Sequence, residues 1–276
     1  MTDAALAGSA ARVSSRWFYA WMAMTCAAIA VLGFMPTYFL PMAQAKFQAE
    51  PIVHIHGLIM FSWCALFVTQ TWLVAKGGTL AHRNWGMLGV AIIAAMTCVV
   101  TAVVAMRISQ AEWVQANQAA APATFAHDVR AFEWVPFSGL VYLVPMFVLA
   151  IVNVKKPEAH KRFMLLGTIS MLAAPIARWF LVFMAPPPDP NAPVILMPDG
   201  LPAPAVPPVF VAIPPALVGD VLWIIAMIYD WRTRGNVHPV YIWGGAVLLV
   251  MQLTVIQVAD SGIWQGFASA LGHLAG

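Results

Sequence analysis

The sequence predicts an all-α fold: a polytopic membrane helix bundle of about seven transmembrane helices with a hairpin-type internal repeat. Of its 276 residues, 62% are hydrophobic and 9% are charged, and the mean hydropathy is +0.80. Several apolar runs reach the roughly 20 residues that a helix needs to cross a hydrocarbon core. No long polar segment separates these runs, so we expect one membrane domain and no soluble domain.

Seven apolar runs are long enough to span a membrane. They cover residues 17–38, 52–75, 85–106, 132–154, 163–185, 209–229 and 240–259. Residues 1–15 are small and polar and carry no signal-peptide pattern, so we expect a disordered cytoplasmic tail before a retained first span. Residues 16–262 then form the seven-helix domain, and residues 263–276 form an external tail.

The basic residues predict the orientation of the spans. With a cytoplasmic amino terminus, 10 of the 14 lysines and arginines fall on the cytoplasmic side. They are Arg12, Arg16, Lys76, Arg83, Lys155, Lys156, Lys161, Arg162, Arg232 and Arg234. The positive-inside rule therefore predicts a cytoplasmic amino terminus and an external carboxy terminus. Because these residues form no basic stripe, we expect the lipid bilayer and not a nucleic acid as the partner.

An internal repeat supports this topology. AHRNWGMLG at 81–89 and AHKRFMLLG at 159–167 align without gaps, and HPVYIWGG at 238–245 follows at the same shift. Each copy places a histidine, His82, His160 or His238, at the cytoplasmic start of a span, with a glycine seven residues later. Contacts with lipid phosphates, a quinone or second metal site, and loop capping are the alternative roles for these histidines.

Two predicted external segments lie outside the spans. Residues 107–131 contain good helix formers up to Pro122, so the third helix is expected to project beyond the membrane. Residues 186–208 carry too many prolines for a helix, and the Asp199–Gly200 step predicts a tight turn. This proline-rich segment is either an external flap or a simple connector.

The second span, residues 51–75, begins with two histidines. His54 and His56 lie about 200° apart around a helix, so only one of them faces inward. His56 is the better candidate because Met60 and Trp63 follow it at helical spacing. An imidazole one turn from a thioether suits copper(I) or haem iron. An interhelical hydrogen bond is the alternative role of His56.

Two further groups of ionisable residues share the external half of the predicted bundle. His127 lies beside Asp128. The candidate ligands of an external metal site are His54, His56 and His127, and such a site must recruit His127 or use carboxylates, because His54 and His56 bind one metal only if the backbone there is extended. Arg178 and Asp220 lie at matching depths, roughly 10 Å below the surface, and an ion pair is the cheapest way to keep both charged. Either the pair is structural, or it anchors an anionic group such as a haem propionate or a substrate carboxylate.

Six motifs carry a resemblance to a known group. PTYFLP at 36–41, HIHG at 54–57, HKRFMLLG at 160–167, ARWF at 177–180 and DWRTRG with HPVY at 230–241 resemble a group of functionally unassigned bacterial multi-pass inner-membrane proteins. Their shared patterns are H-x-H-G, H-K-R-x-M-L-x-G and H-P-V-Y. The resemblance implies a bacterial inner-membrane location, but it implies no activity.

The sequence leaves three functions open. The first is a redox or metal-dependent protein that holds haem, copper or iron on the external side, with His56 and His127 as ligands. The second is a transporter that uses Arg178, Asp220, Gln252 and Gln257. The third is an accessory or assembly subunit of a membrane complex, with other membrane proteins as partners. No P-loop, H-E-x-x-H motif or nucleophile elbow is present, so the sequence does not decide whether the protein is an enzyme.

Overall fold

A computed structural model describes residues 3–184 and 193–275, with side chains from residue 16 onward. The all-α prediction is confirmed, since these two ranges contain helices and no β-strand. The helices are α1 (Asp3–Phe34), α2 (Leu40–Ala43), α3 (Pro51–Ala75), α4 (Thr79–Asn117), α5 (Phe125–Val152), α6 (Pro157–Ile169), α7 (Ala173–Met184), α8 (Ile213–Arg234), α9 (Pro239–Leu253), α10 (Val255–Ala259) and α11 (Gly262–His273).

Six helical segments in the described ranges are long and apolar enough to cross a membrane. They are Arg16–Ala43, Pro51–Ala75, Thr79–Asn117, Phe125–Val152, Pro157–Met184 and Val209–Arg234. The protein is therefore a multi-pass integral membrane protein in a lipid bilayer environment. Its orientation and its inner-membrane location stay predictions.

Three of these segments, together with the last predicted span, contain breaks or irregular turns. A π-helical turn, Met35–Phe39, joins α1 to α2, and a 3₁₀ turn, Ser170–Leu172, joins α6 to α7. A further 3₁₀ turn, Val209–Ala212, leads into α8. Proline explains two of the three, because it has no N–H to continue the helical ladder: Pro36 lies in the π-helical turn, and Pro175 follows the turn at 170–172.

The seventh predicted span is shorter than expected. The apolar run 240–259 divides at Thr254 into α9 and α10, and α9 has 15 residues. The residues predicted as an external tail after it are helical. Residues 262–273 form α11, which packs against α4 and α5 with Trp264 and Ala268 buried. These two residues are four apart and therefore lie on the same face of the helix.

Other boundaries also differ from the expectations. Helix α1 starts at Asp3 and not near residue 17, and the side chains of the predicted tail lie outside the described part of the chain. Helix α4 continues to Asn117, so the predicted continuation of the third helix beyond residue 106 is confirmed, and its projection beyond the membrane stays a prediction. The division of the chain into tails and one domain stays a prediction.

The proline-rich segment is described from residue 193, and residues 185–192 lie outside the described ranges. The predicted turn is confirmed: Gly200 has φ +80°, and the Ala203 N–H donates to the Ile195 carbonyl oxygen at 2.8 Å. Met197 and Ala203 lie beside Arg107 and Val129, so the segment contacts the ends of α4 and α5.

The first two copies of the predicted repeat occupy equivalent positions. His82 and His160 are each the fourth residue of their helix, and Gly89 and Gly167 are buried. His238 differs, because it is the residue that precedes α9.

Candidate functional site

A polar site lies at the end of α1, which packs against both α3 and α7, at the predicted external side. We call it the Arg178 site and define it by Thr37, Tyr38, His54, His56 and Arg178. The Arg178 guanidinium lies 5.3 Å from the ring centre of Phe34 and interacts electrostatically with His56. Its Nε atom is buried without a hydrogen-bond partner.

Two further polar atoms of the Arg178 site are buried without a partner, namely His56 Nδ1 and Thr37 Oγ1. His54 differs from its neighbour, because its Nδ1 is 3.0 Å from the Tyr38 hydroxyl. Of the two Nδ1 atoms, that of His56 is therefore the one without a partner. Orphaned buried polar groups are rare in proteins and need an explanation.

Local features of the sequence build this site. Gly33 is buried, and a Cβ on it would collide with the carbonyl oxygen of Pro175. This close approach of α1 and α7 brings Phe34 and Arg178 together. The π-helical turn then presents Thr37 and Tyr38, and such turns frequently occur at functional sites.

The predicted ion pair between Arg178 and Asp220 is wrong. Asp220 Oδ1 instead accepts a hydrogen bond from Gln252 Nε2 at 3.2 Å, and no acidic side chain in the described ranges pairs with Arg178. The sequence predicted both charges at the same depth in the bundle. In the structure, however, Arg178 on α7 points towards α1, and Asp220 on α8 points towards α9. Depth alone does not fix the direction in which a helical side chain points.

The structure does not gather the predicted metal ligands. His127 lies in the exposed first turn of α5, where its Nδ1 is 3.3 Å from Asp128 Oδ1. No group of three or more His, Cys, Asp or Glu residues in the described part of the chain could hold a metal ion. Met60 packs against apolar clusters of the core. Trp63 is buried, so the prediction that the face of α3 with Met60 and Trp63 points inward is confirmed.

A second polar feature, the Asp220 cleft, lies beside the breaks in the helices. The cleft has a volume of about 70 Å³ and is lined by Ser138, Tyr142, Ser170, Gln252 and Val255, among others. Asp220 is 5% exposed and lies behind Gln252 through their hydrogen bond. Asp220 Oδ2 and Gln252 Oε1 are buried without partners.

The sequence analysis missed a third polar feature, which we call the Arg162 network. Arg162 is 1% exposed and Asp230 is fully buried, and they form a bidentate ion pair with Nε 2.8 Å from Oδ2. Arg162 Nη1 also donates to the carbonyl and carboxylate oxygens of Glu158 at 2.6 and 2.8 Å. Arg234 pairs with the same carboxylate. The sequence analysis counts Arg162 and Arg234 only as basic residues that set the orientation, and it does not consider Asp230 or Glu158.

The Arg162 network extends into α1 and α9. The Tyr19 and Tyr241 hydroxyls are 3.0 Å apart, and Arg162 lies over the Tyr241 ring. His238 Nδ1 accepts from the Val240 N–H at 3.2 Å, so loop capping is the role of this histidine. Burial, together with the positive charges of Arg162 and Arg234, lowers the pKa of His238.

His82 and His160 contact each other near the same end of the bundle, with 6.2 Å between ring centres. His160 Nδ1 donates to the Ala150 carbonyl oxygen at 2.8 Å. The amide oxygen of Gln70 accepts from the Gly86 N–H at 3.0 Å, and its amide nitrogen then donates to His82. The two histidines therefore hold the starts of α4 and α6 together.

Comparisons with protein-family models, with curated proteins and with solved structures found no match. The resemblance to bacterial inner-membrane proteins stays a prediction. The motifs behind it nevertheless gather in space: PTYFLP, HIHG and ARWF supply the Arg178 site, and HKRF, DWRTRG and HPVY supply the Arg162 network.

Proposed function

We propose that the protein is a membrane carrier for a small organic anion, which binds among α1, α3 and α7 with Arg178 as its charge partner. The observation that carries this proposal is the arginine itself. Its Nε is buried without an acceptor, and no acidic side chain in the described ranges lies within ion-pair distance of it. An unpaired guanidinium inside a membrane bundle is costly, so intramembrane charges usually mark ligand pathways.

The chemistry of the site favours a carboxylate. The planar guanidinium presents parallel N–H donors that match the two oxygens of a carboxylate. His56 Nδ1 and Thr37 Oγ1 are also unpartnered, and both can donate to an anionic oxygen. Phe34 and Phe61, with ring centres 5.9 Å apart, supply an apolar wall beside the charge. We therefore propose a carboxylate that carries an apolar or aromatic body.

The breaks in the helices support a carrier over a static binder. Membrane carriers commonly place their sites at interrupted helices, where the backbone lines a cavity instead of facing lipid. The π-helical turn Met35–Phe39 forms part of the Arg178 site, and the break at Thr254 adjoins the Asp220 cleft.

A second candidate function uses the same site. The rings of Phe34, Phe39 and Phe61 form a contiguous aromatic surface beside Arg178. Such a surface also suits a resident planar cofactor whose carboxylate pairs with Arg178, such as haem through a propionate. An absorption spectrum of the purified protein separates the candidates, because a resident haem gives a strong Soret band and a transported anion does not.

Binding of benzoate, which combines one carboxylate with one ring, tests the proposal. The purified protein in detergent is expected to be stabilised by benzoate in a thermal unfolding assay. The Arg178→Gln variant should bind about tenfold or more weakly, because it loses a charge-assisted hydrogen bond. Arg178→Lys should retain part of the affinity, since it keeps the charge without the planar fork.

The matched control is Arg232→Gln, which removes one positive charge from an exposed position and should bind like the wild type. Uptake of radiolabelled benzoate into proteoliposomes, compared with protein-free liposomes, then tests transport. Equal benzoate binding by the wild type and Arg178→Gln would refute the proposed site. Binding without uptake would refute the carrier function and leave a binding protein.

A further inference from the structure

We infer that Asp220 and Gln252 form a site for a monovalent metal cation, sodium, at the cleft beside the break between α9 and α10. This inference concerns a different ligand and a different part of the bundle from the proposed anion site. It starts from two oxygen atoms, Asp220 Oδ2 and Gln252 Oε1, that are buried and accept no hydrogen bond. Both belong to one hydrogen-bonded pair, so they lie close together.

The donors around the cleft are already used. The hydroxyl of Ser138 donates to the Val135 carbonyl oxygen at 2.8 Å, and that of Ser170 donates to the Gly167 carbonyl oxygen at 2.9 Å. The Tyr142 hydroxyl donates to the Gly244 carbonyl oxygen at 2.9 Å. A hydroxyl that has donated its only hydrogen retains lone pairs that accept. The polar lining therefore offers mainly acceptor oxygens, which suit a cation.

The kind of oxygen and the charge of the site select the cation. Hard cations without a preference for nitrogen or sulfur bind carboxylate, amide and hydroxyl oxygens. One carboxylate supplies one negative charge, which balances a monovalent ion. The cleft of about 70 Å³ also leaves room for water ligands. A proton on Asp220 Oδ2, donated to Gln252 Oε1, is the competing occupant of this pair, and the comparison of sodium with choline at constant pH separates the two.

The backbone around the cleft has the form that cation sites in carriers take. Carbonyl groups at the carboxyl-terminal ends of interrupted helices point towards the break and carry the negative end of the helix dipole. Helix α9 ends at Leu253, and α6 ends at Ile169. Gln252 and Ser170, which adjoin these two ends, both line the cleft.

Sodium binding to the purified wild-type protein in detergent tests the inference without any organic anion present. At constant ionic strength and pH, replacing choline chloride by sodium chloride is expected to raise the Tm by on the order of 5 °C at saturation. Radioactive sodium should bind at one site per chain. Asp220→Asn, which keeps the shape and removes the charge, should lose both effects, and Gln252→Ala should weaken sodium binding.

Asp199→Asn is the matched control, because it removes one carboxylate from the exposed turn and should retain full sodium binding. The Tm of each variant in choline establishes that it is folded before sodium is added. The inference is overturned if the wild-type Tm is the same in sodium and choline, or if Asp220→Asn binds radioactive sodium like the wild type. A response to pH without a response to sodium would also overturn it. The anion proposal survives each of these outcomes, because its test uses benzoate and Arg178 variants.

Discussion

Arg162 and Arg178 lie on one membrane-spanning segment, Pro157–Met184, about 24 Å apart along its axis. Arg162 is the more buried of the two, and each of its three nitrogens donates to an oxygen of Asp230 or Glu158. Arg178 is half-buried, its Nε has no acceptor, and no described carboxylate pairs with it. The arginine at one end of the segment thus has a hydrogen-bond partner for each nitrogen, whereas the arginine at the other end has a buried Nε without a partner.

The difference teaches that burial alone does not identify a functional charge. A buried charge with all its partners within the chain holds helices together, and here Arg162 ties α6 to α8. A buried charge that lacks partners within the chain is complete only when something else supplies them. We therefore assign Arg162 to stability, and the proposed anion site rests on Arg178, which has no such partner among the described residues.

The Asp220 cleft extends the comparison. The Arg178 site presents a positive charge and side chains that can donate, whereas the cleft presents a carboxylate and side chains that accept. The two unsatisfied regions therefore suit ligands of opposite charge.

Arg162→Met is expected to have the largest effect. It leaves Asp230 as an unpaired buried charge, and breaking a buried pair in this way costs about 3–5 kcal/mol. Thermal unfolding in detergent measures the loss. Because replacing both partners by apolar residues is often nearly neutral, Arg162→Met combined with Asp230→Leu should recover much of the stability. If the variant with Arg162→Met alone is as stable as the wild type, Arg162 has no structural role.

Gly33→Ala is expected to have the next largest effect, because its Cβ would collide with backbone atoms of Pro175. Overpacking of this kind costs about 1–3 kcal/mol. The variant should also bind benzoate more weakly, since α1 and α7 must move apart beside Arg178. Gly86→Ala is the control, because its Cβ would meet no atom within 4 Å. Normal benzoate binding by a destabilised Gly33→Ala variant would place the ligand elsewhere.

Arg178→Gln should change stability little when no anion is present. The substitution removes a partly buried charge that has no described counter-ion, so the free energy of unfolding should stay within about 1 kcal/mol of the wild type or rise. The comparison with Arg162→Met, made in the same detergent and buffer, is the informative measurement. A loss similar to that of Arg162→Met would show that Arg178 has a structural partner.

His238→Asn tests the edge of the Arg162 network and should have the smallest effect. Because the folded-state pKa of His238 is lowered from its ordinary 6.5, the unfolded chain binds the proton more readily. The wild type should therefore lose stability as pH falls below 6.5, and it regains this contribution above that pH. Asparagine caps a helix without titrating, so the variant should lack this component, which we expect to be below about 1 kcal/mol. Identical pH profiles would remove His238 from the network.

Much of the fold follows from local patterns in the sequence. The apolar runs predicted the spans, the helix formers up to Pro122 predicted the extension of α4, and the Asp199–Gly200 step predicted the turn. At the site, helical spacing correctly turned Trp63 inward, but it did not separate His54 from His56, because both histidines are half-buried. Two local expectations failed: the carboxyl-terminal residues form a packed helix, and the last span divides at Thr254.

By itself, the sequence determined which segments are long and apolar enough to cross a membrane and where each charge lies along its helix, because hydropathy and a rise of about 1.5 Å per residue are properties of a single helix. Only the tertiary structure decided which partner each charge meets. Periodicity fixes the angles between side chains of one helix, but the rotation of one helix against another depends on packing contacts such as Gly33 on Pro175. That rotation keeps Arg178 apart from Asp220 and pairs Arg162 with Asp230.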